Sequence, residues 1–473
     1  MNRWSGAIEV YMMQPTIMDN PESEPVFRHR PFRKTYFVQR IIYAWELPSI
    51  MRKHIYTGVM GSVYGTLVSG ILFVYFGTAV GLTEFQWGLM AGISSWVIAA
   101  QPLSALITER TGNRKRIWFV SALADRSLRF IGIAVSLVLW TRGVPSSAVF
   151  LLIAICTANF FGTIGLPPWL SWLADIIPED DHASFWGRRS AWVALFTVAV
   201  LLAAGLIADA VPEEERIYAA VAIFAVGTVI GIVDLFIHGT IPEPRMIRPG
   251  GGSALSQFLK PLRDPGFRPW IVFNCAWTFS MTLGGALSTL YMVEHLGMKN
   301  NILGGIAVTS GIQLLMATFI GSRAGRFVDR VGVSRTLYAG HILWALLPVF
   351  WLISTPQIAL VTIALASVFG GLGSTSATIA ANKLITRFPP PESRAMYIAV
   401  STSLGNLAGG LGPIIAGFVL RSMAGTTVAV GPFELSAFRF LFLASLVLRL
   451  TSALVLIPRI GDIGRSRAAA SAS

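Results

Sequence analysis

Ionisable residues stand inside long apolar stretches of the sequence, where a charge is costly and usually marks a function. Asp125 precedes Arg129 by four residues, the favourable order for an ion pair along one face of a helix. Asp234 precedes His238 by the same interval, and such a pair can titrate near neutral pH. The spacing therefore predicts one ion pair on each of two helices. Asp125, Asp234 and His238 are therefore the candidates for proton exchange within these apolar stretches.

No set of residues indicates catalysis. The six histidines are scattered, no phosphate-binding P-loop is present, and no two acids are spaced for hydrolysis. Cys156 and Cys275 both fall in apolar segments, which predicts neither a disulfide nor a metal site. The chain is not expected to be an enzyme or to hold a cofactor.

The composition predicts an all-α membrane protein. Charged residues make up only 13% of the 473 residues and hydrophobic residues 54%, whereas a soluble domain has about 25% charged residues. Crossing a bilayer takes roughly 20 apolar residues per helix. Twelve such spans are predicted, at 56–79, 87–108, 117–140, 147–173, 190–210, 217–239, 269–292, 302–324, 336–354, 357–385, 395–420 and 436–457.

The positive charge is distributed asymmetrically between the predicted loops. If the N-terminus is cytoplasmic, 29 of the 37 Lys and Arg residues fall in inner segments. The outer loops keep only Arg142, Arg216, Lys299 and Arg421. This bias predicts that both termini are cytoplasmic. It also explains the net charge of +13 without a nucleic-acid partner.

The predicted boundaries give a cytoplasmic N-terminal segment (1–53), a six-helix bundle (54–239), a cytoplasmic linker (240–268), a second six-helix bundle (269–458) and a cytoplasmic tail (459–473). The linker is rich in Pro and Gly, and its residues 253–263 suit a short helix on the inner membrane face. Residues 40–52 suit the lipid headgroup layer, and a disordered tail is the alternative for residues 1–35.

A short basic loop between two apolar runs contains Gly325, Asp329, Arg330 and Gly332. The same shape recurs at residues 105–115, about two hundred residues earlier. Two copies indicate that the chain consists of two related, pseudo-symmetric halves.

This G-x-x-x-D-R-x-G pattern resembles the cytoplasmic loop motif of the major facilitator superfamily of transporters, and the resemblance extends from about Tyr56 to Pro458. A further stretch, residues 169–189, is similar to a loop of poorly characterised bacterial members. The resemblance implies inner-face contacts that stabilise one access state, with the base of the motif pairing with an acid that ends helix 4. The matching residues are Glu109, Arg110, Asp175, Gly325, Asp329 and Arg330. The first copy departs from the pattern, with Ala105 for Gly and Glu109 for Asp.

The resemblance also implies a central cavity lined by helices 1, 4, 7 and 10. The polar candidates on those helices are Tyr64, Asn159, Thr163, Asn274, Trp277 and Ser374. Single Ser and Thr residues in a span more often bond their own helix. A break in helix 4 is expected at Gly165–Trp169, which contains Pro167 and Pro168. These four helices carry no acid in mid-span, and Asp125 and Asp234 are expected on peripheral helices, which favours weak or absent proton coupling.

The predicted function is secondary transport of a small, uncharged polar solute such as a sugar, by a monomer in the bacterial inner (plasma) membrane. Export of amphipathic compounds is one alternative. A sensor or assembly factor on the same scaffold is another, because a fold does not determine a function.

Overall fold

The computed structural model describes residues 49–177, 182–244, 254–387, 389, 394–430 and 433–460. The described chain is nearly all helical. The first part contains α1 Ser49–Leu67, α2 Gly70–Ala79, α3 Glu84–Ala99, α4 Gln101–Thr111, α5 Arg114–Thr141, α6 Ser147–Ile176, α7 His182–Ala210 and α8 Arg216–Gly239. The second part contains α9 Ala254–Arg263, α10 Arg268–Gly285, α11 Ser288–His295, α12 Ile302–Ile306, α13 Ile312–Val331, α14 Val333–Ala345, α15 Leu347–Leu352, α16 Ala359–Arg387, α17 Arg394–Ser422 and α18 Ala437–Thr451. A 3-10 turn covers Met298–Asn300, and π-helical turns cover Ala307–Gly311 and Ser452–Leu456.

Within the described residues, eight helical segments are long and apolar enough to cross a membrane. They are Ser49–Ala79, Ser147–Leu173, Phe185–Ala210, Arg216–Gly239, Arg268–His295, Ala359–Ile385, Met396–Ser422 and Ala437–Ile460. The other four predicted spans also lie in helical segments, namely α3–α4, α5, α12–α13 and α14–α15. Among these, α5 is long enough but carries Asp125, Arg126 and Arg129 at its centre.

Large apolar side chains cover outward faces of these helices, as expected of a protein solvated by lipid. On α6, Val149, Ile153 and Phe160 are exposed at helical spacing. On α8, Val229 and Phe236 lie seven residues apart, on the same face of the helix, and are 62% and 60% exposed. This exposure agrees with the composition and identifies an integral membrane protein.

The glycines of both basic loops have backbone conformations that favour glycine. Gly112 ends α4 with φ +70°, and Gly332 ends α13 with φ +97°. A Cβ atom disfavours positive φ, so a glycine at these positions lets the chain turn directly into the next helix. The turns predicted from the two motif copies are confirmed.

The expected break at Gly165–Trp169 is wrong, because α6 continues through Pro167 and Pro168. Each proline lacks the N–H that would bond the carbonyl four residues earlier. For Pro168 that carbonyl belongs to Ile164, and the Ser104 hydroxyl of α4 donates to it instead, at 2.5 Å. A neighbouring helix thus satisfies the freed acceptor, and the helix does not need to open.

The two parts of the chain approach closely where α3 packs against α17. A Cβ atom on Gly88 would lie 2.3 Å from the Pro413 carbonyl oxygen, and one on Gly92 would lie 2.6 Å from the Gly410 carbonyl oxygen. Further along, the Trp96 indole donates to the Leu407 carbonyl oxygen at 3.1 Å. Glycine on both helices therefore allows near backbone contact between the first and second parts of the chain.

Two smaller elements complete the fold. The linker helix predicted at residues 253–263 is present as α9. Two strands that were not predicted, β1 Thr427–Val430 and β2 Phe433–Ser436, pair in antiparallel fashion, with Thr427 opposite Ser436 and Val430 opposite Phe433. Residues 1–48 of the predicted N-terminal segment (1–53) and residues 461–473 of the predicted tail (459–473) lie outside the described residues.

Candidate functional site: a charged cavity between three helices

A cavity of about 390 Å³ lies between α1, α5 and α6. Its lining includes Tyr64, Asp125 and Gly162, each near the middle of its helical segment. The lining also contains the aromatic residues Trp118 and Trp169. Polar groups thus converge about halfway along three helices that are otherwise apolar.

Glycines bring the helices close to the charged side chains of the cavity. A Cβ atom on Gly162 would lie 3.1 Å from the carboxyl carbon of Asp125, and one on Gly61 would lie 3.2 Å from the Asp234 carboxylate. A larger residue at either position would have to push the carboxylate away. The two glycines therefore set the space available to both acids.

Asp125 and Arg129 form the predicted ion pair, with Arg129 Nη2 donating to Asp125 Oδ1 at 2.8 Å. The same Nη2 donates to Asn159 Oδ1 of α6 at 2.7 Å. Asn159 Nδ2 in turn donates to the Ser94 hydroxyl of α3 at 2.7 Å. The Tyr64 hydroxyl donates to the other Asp125 oxygen at 3.3 Å. This hydrogen-bonded chain links four helices at one depth and fixes the orientation of the guanidinium.

The predicted Asp234–His238 pair is wrong, because Asp234 pairs with Arg126. Arg126 Nη2 lies 2.8 Å from Asp234 Oδ2, and the side chains are only 10% and 5% exposed. The Arg126 guanidinium also lies over the Tyr64 ring, 5.0 Å from its centroid. Packing of α5 against α8 brings in an arginine, which makes a stronger partner for a carboxylate than an imidazole. Intervals along one helix cannot reveal this partner.

His238 is instead enclosed by aromatic residues. Its Nε2 accepts a hydrogen bond from the Trp169 indole at 3.1 Å, and its Nδ1 lies 2.8 Å from the Thr57 hydroxyl. The rings of Trp118 and His54 each lie 4.6 Å from the His238 ring, centroid to centroid. Because an indole N–H can only donate, Nε2 carries no proton in this arrangement. His238 thus holds Trp169, a residue of the cavity wall.

The expectation that both acids lie on helices away from the cavity is wrong for Asp125, whereas Asp234 itself does not line the cavity. Asp125 on α5 lines the cavity, and Asp234 contacts Arg126, which lines it too. The charges of Asp125 and Arg129 cancel each other, as do those of Asp234 and Arg126. The site is therefore polar but balanced in formal charge.

Of the six polar candidates, Tyr64 lies directly on the cavity and Asn159 bonds Arg129 behind it. Thr163, which follows Gly162 on α6, is partly buried. The other three candidates are in the second part of the chain. Asn274 donates to the Ser401 carbonyl oxygen at 2.9 Å, and Trp277 is 5% exposed with its ring 4.5 Å from that of His341. Ser374 bonds the Gly371 carbonyl oxygen of its own helix at 3.5 Å.

The acid that ends α6 has a different partner from the expected one. Asp175 accepts a hydrogen bond from Arg114, not from the motif base Arg110, which is exposed. Arg114 is fully buried and also donates to the carbonyl oxygens of Ser171 and Pro244, at 3.2 and 2.8 Å. Because α5 packs along α6, its first residue faces the end of α6, whereas Arg110 lies at the exposed end of α4. The pairing of Asp175 with the motif base is therefore wrong.

Sequence reasoning missed Arg114 and Ser94 as parts of these networks. The available signal for Arg114 was its position two residues after Gly112, at the start of the next apolar run. Ser94 gave no distinguishing signal. Gly325 lies within α13, the side chains of Glu109 and Asp329 are not among those that the structure describes, and Arg330 is exposed.

This fold and cavity define a helical membrane protein with a polar site enclosed by its spans. The family model of the Major Facilitator Superfamily matches residues 55–325 and 270–468. The chain belongs to this superfamily of transporters.

Solved structures show the same fold at low sequence identity. The nucleoside transporter NupG matches with a TM-score of 0.62 and 11% identity over 88% of this chain and 99% of that chain. The D-xylose-proton symporter matches with 0.61 and 14% over 88% and 97%. A bacterial homolog to the human lysosomal transporter Spinster, in an inward-facing and unoccupied conformation, matches with 0.60 and 17% over 90% and 98%. No curated protein matches the chain by sequence.

Proposed function

We propose that this protein is a secondary transporter that moves a small solute across the membrane by alternating access. The observation that carries the proposal is the cavity between α1, α5 and α6, where Tyr64, Asp125 and Arg129 meet about halfway along the helices. Buried charges in a membrane protein are retained mainly along solute and proton pathways.

The proposed architecture is a monomer of twelve transmembrane helices in two pseudo-symmetric six-helix bundles, residues 54–239 and 269–458, with both termini cytoplasmic. The positions of the helices and the two family matches support this arrangement. Single cysteines at Glu214 and at Arg263 test the topology with a membrane-impermeant maleimide. We expect labelling of Glu214→Cys from outside intact cells and of Arg263→Cys only after lysis, and the reverse pattern rejects the orientation.

The proposed solute is small, polar and uncharged, such as a sugar. Balanced charges leave no excess of either sign to attract an ion. The hydroxyl of Tyr64 and the side chains of Asp125 and Arg129 supply donors and acceptors, while Trp118 and Trp169 supply apolar ring surface.

The test is uptake into proteoliposomes with a panel of labelled sugars, other neutral polar solutes, ions and amphipathic compounds. Arg129→Gln removes one guanidinium of the cavity, and Arg421→Gln, in the last turn of α17, is the matched control. We expect saturable flux of a neutral polar solute that Arg129→Gln reduces at least tenfold and Arg421→Gln leaves unchanged. Flux of amphipathic compounds alone supports an exporter, and solute binding without flux supports a sensor.

Asp125 is the strongest of the three coupling candidates because it lines the cavity and its oxygens bond both Arg129 and Tyr64. Protonation of Asp125 would release Arg129 from its partner. Uptake is compared with and without an imposed pH gradient at matched solute gradients. Uphill accumulation that Asp125→Asn abolishes supports coupling at this residue, and the same rate with and without the gradient supports a passive facilitator.

The proposed inner gate consists of the two basic loops, with Asp329 and Arg330 in the second copy and Arg114 with Asp175 beside the first. The Arg114–Asp175 contact is the described part of this gate. We expect Asp329→Asn to reduce flux sharply while solute affinity stays the same. Flux equal to that of the wild type at equal expression removes this role.

A further inference from the structure

The end of α7 meets the beginning of α12, which lies about ninety residues later in the chain. Asp209 Oδ1 accepts a hydrogen bond from the Ile302 amide at 2.9 Å, and its Oδ2 accepts one from the Leu303 amide at 2.8 Å. The next amide, that of Gly304, is bonded by the Asn301 side chain at 2.9 Å. The first amides of a helix have no partner within that helix. Here two of them depend on an acid from the other part of the chain.

The chemistry of this contact favours a carboxylate. Amides at the start of a helix carry partial positive charge, and a negative side chain beside them is stabilising. Each oxygen of Asp209 accepts from a different amide, so an asparagine in the same position would turn its NH2 group, which is only a donor, towards one of the two amides. A single substitution at Asp209 therefore changes both bonds, because the two donors are backbone amides and both acceptors belong to the Asp209 side chain.

Two neighbouring contacts bind the same segments together. Arg216, which begins α8 and is 6% exposed, donates to the Lys299 carbonyl oxygen at 2.6 Å and to the Ala208 carbonyl oxygen at 2.9 Å. A Cβ atom on Gly205 would lie 2.9 Å from the Leu303 Cα atom. The backbone of residues 299–303 is therefore held at both of its ends by residues of the first part of the chain.

These contacts lie at the end of the helices that the topology above assigns to the outside. We propose that Asp209 is a gating residue whose two bonds to the start of α12 hold the outer end closed and must break each time that end opens. This inference rests on the proposed alternating access. In the solute cycle, Asp209 sets the balance between the state shown here and a state open to the outside, without contacting the solute.

The experiment measures the distance between the two parts of the chain at their outer ends, and it needs no solute. Cys156 and Cys275 are replaced by Ala, and spin labels are attached at Glu214→Cys and Asn300→Cys, whose native residues are exposed. Pulsed electron paramagnetic resonance in proteoliposomes gives the populations of the short and long distances. Asp209→Asn is expected to raise the ratio of long to short distances roughly fivefold or more, the effect of losing one of the two hydrogen bonds and the negative charge beside the helix start.

Glu213→Gln is the matched control. Glu213 also bonds across to the second part of the chain, at 3.2 Å to Lys299, but both side chains are about half exposed. An exposed pair contributes little, so the distances should stay unchanged. If Asp209→Asn does not elute as a single monodisperse species, Asp209→Ser, which keeps one acceptor, is measured in its place and should also raise the ratio.

An unchanged ratio in a well-folded Asp209 variant overturns the gating role, whatever the transport activity. An equal rise in Glu213→Gln overturns it as well, because the effect would then reflect general loss of charge. Failure of the transport proposal is recognised by a different result, namely that the wild type carries none of the solutes of the panel. A raised ratio with intact solute binding supports the gate.

Discussion

Substitution of the buried ion pair between Arg126 and Asp234 should affect stability strongly, and it should do so more when one partner is replaced than when both are. The ion pair is 2.8 Å long, and its side chains are 10% and 5% exposed. Asp234→Asn leaves the Arg126 guanidinium buried without a counter-charge. Breaking one side of a buried pair costs about 3–5 kcal/mol, whereas replacing both sides can be nearly neutral. We therefore expect the single variant to be less stable than the double variant with Arg126→Met.

The assay is chemical unfolding in detergent micelles, followed by tryptophan fluorescence. The four proteins of a double-mutant cycle are the wild type, Asp234→Asn, Arg126→Met and the double variant. Each single variant should lose about 3 kcal/mol or more of unfolding free energy, and the coupling energy should exceed about 1 kcal/mol. As a control, Glu213→Gln removes an exposed pair and should cost less than about 1 kcal/mol.

The reasoning is refuted if the two single variants each lose less than about 1 kcal/mol, or if their effects simply add. Additive effects would mean that the two side chains do not depend on each other. In that case the contact between Asp234 and Arg126 would not contribute to the stability of the protein.

Three further outcomes follow from the contacts. Asn159→Ala removes an acceptor of Arg129, so the KM for solute flux should rise about tenfold; an unchanged KM contradicts this role. Arg114→Gln removes bonds to the carbonyl oxygens of Ser171 and Pro244 and to the half-exposed Asp175, so the unfolding free energy should fall by about 1–3 kcal/mol, while exposed Arg110→Gln should stay within about 0.5 kcal/mol; equal effects contradict the importance of these bonds. Gly88→Ala places a Cβ atom 2.3 Å from a carbonyl oxygen of α17, so unfolding should become easier by about 1–3 kcal/mol; wild-type stability shows that the helices separate freely there.

Features that depend on neighbouring residues in the chain were predictable. Apolar length placed the helices, since a span needs its own run of apolar residues whatever surrounds it. Gly112 and Gly332 marked turns, because positive φ is a local requirement. The Asp125–Arg129 pair was predictable because one helix presents residues four apart on the same face.

Features that depend on which helices pack together were not predictable in the same way. The same four-residue interval suggested Asp234 and His238, but α5 brings Arg126 to Asp234 and α6 brings Trp169 to His238. Pro168 suggested a break, but a hydroxyl on α4 satisfies the carbonyl that the proline frees.

By itself, the sequence determined that this is a helical membrane protein with a repeated basic loop, and it identified the residues whose charges need partners. The tertiary structure alone decided those partners, because a buried charge is stabilised by whichever opposite charge or dipole the packing brings within hydrogen-bond distance. Asp209 shows the difference most clearly. In the sequence it is an acid at the end of an apolar run, and in the structure it bonds two backbone amides from a distant part of the chain.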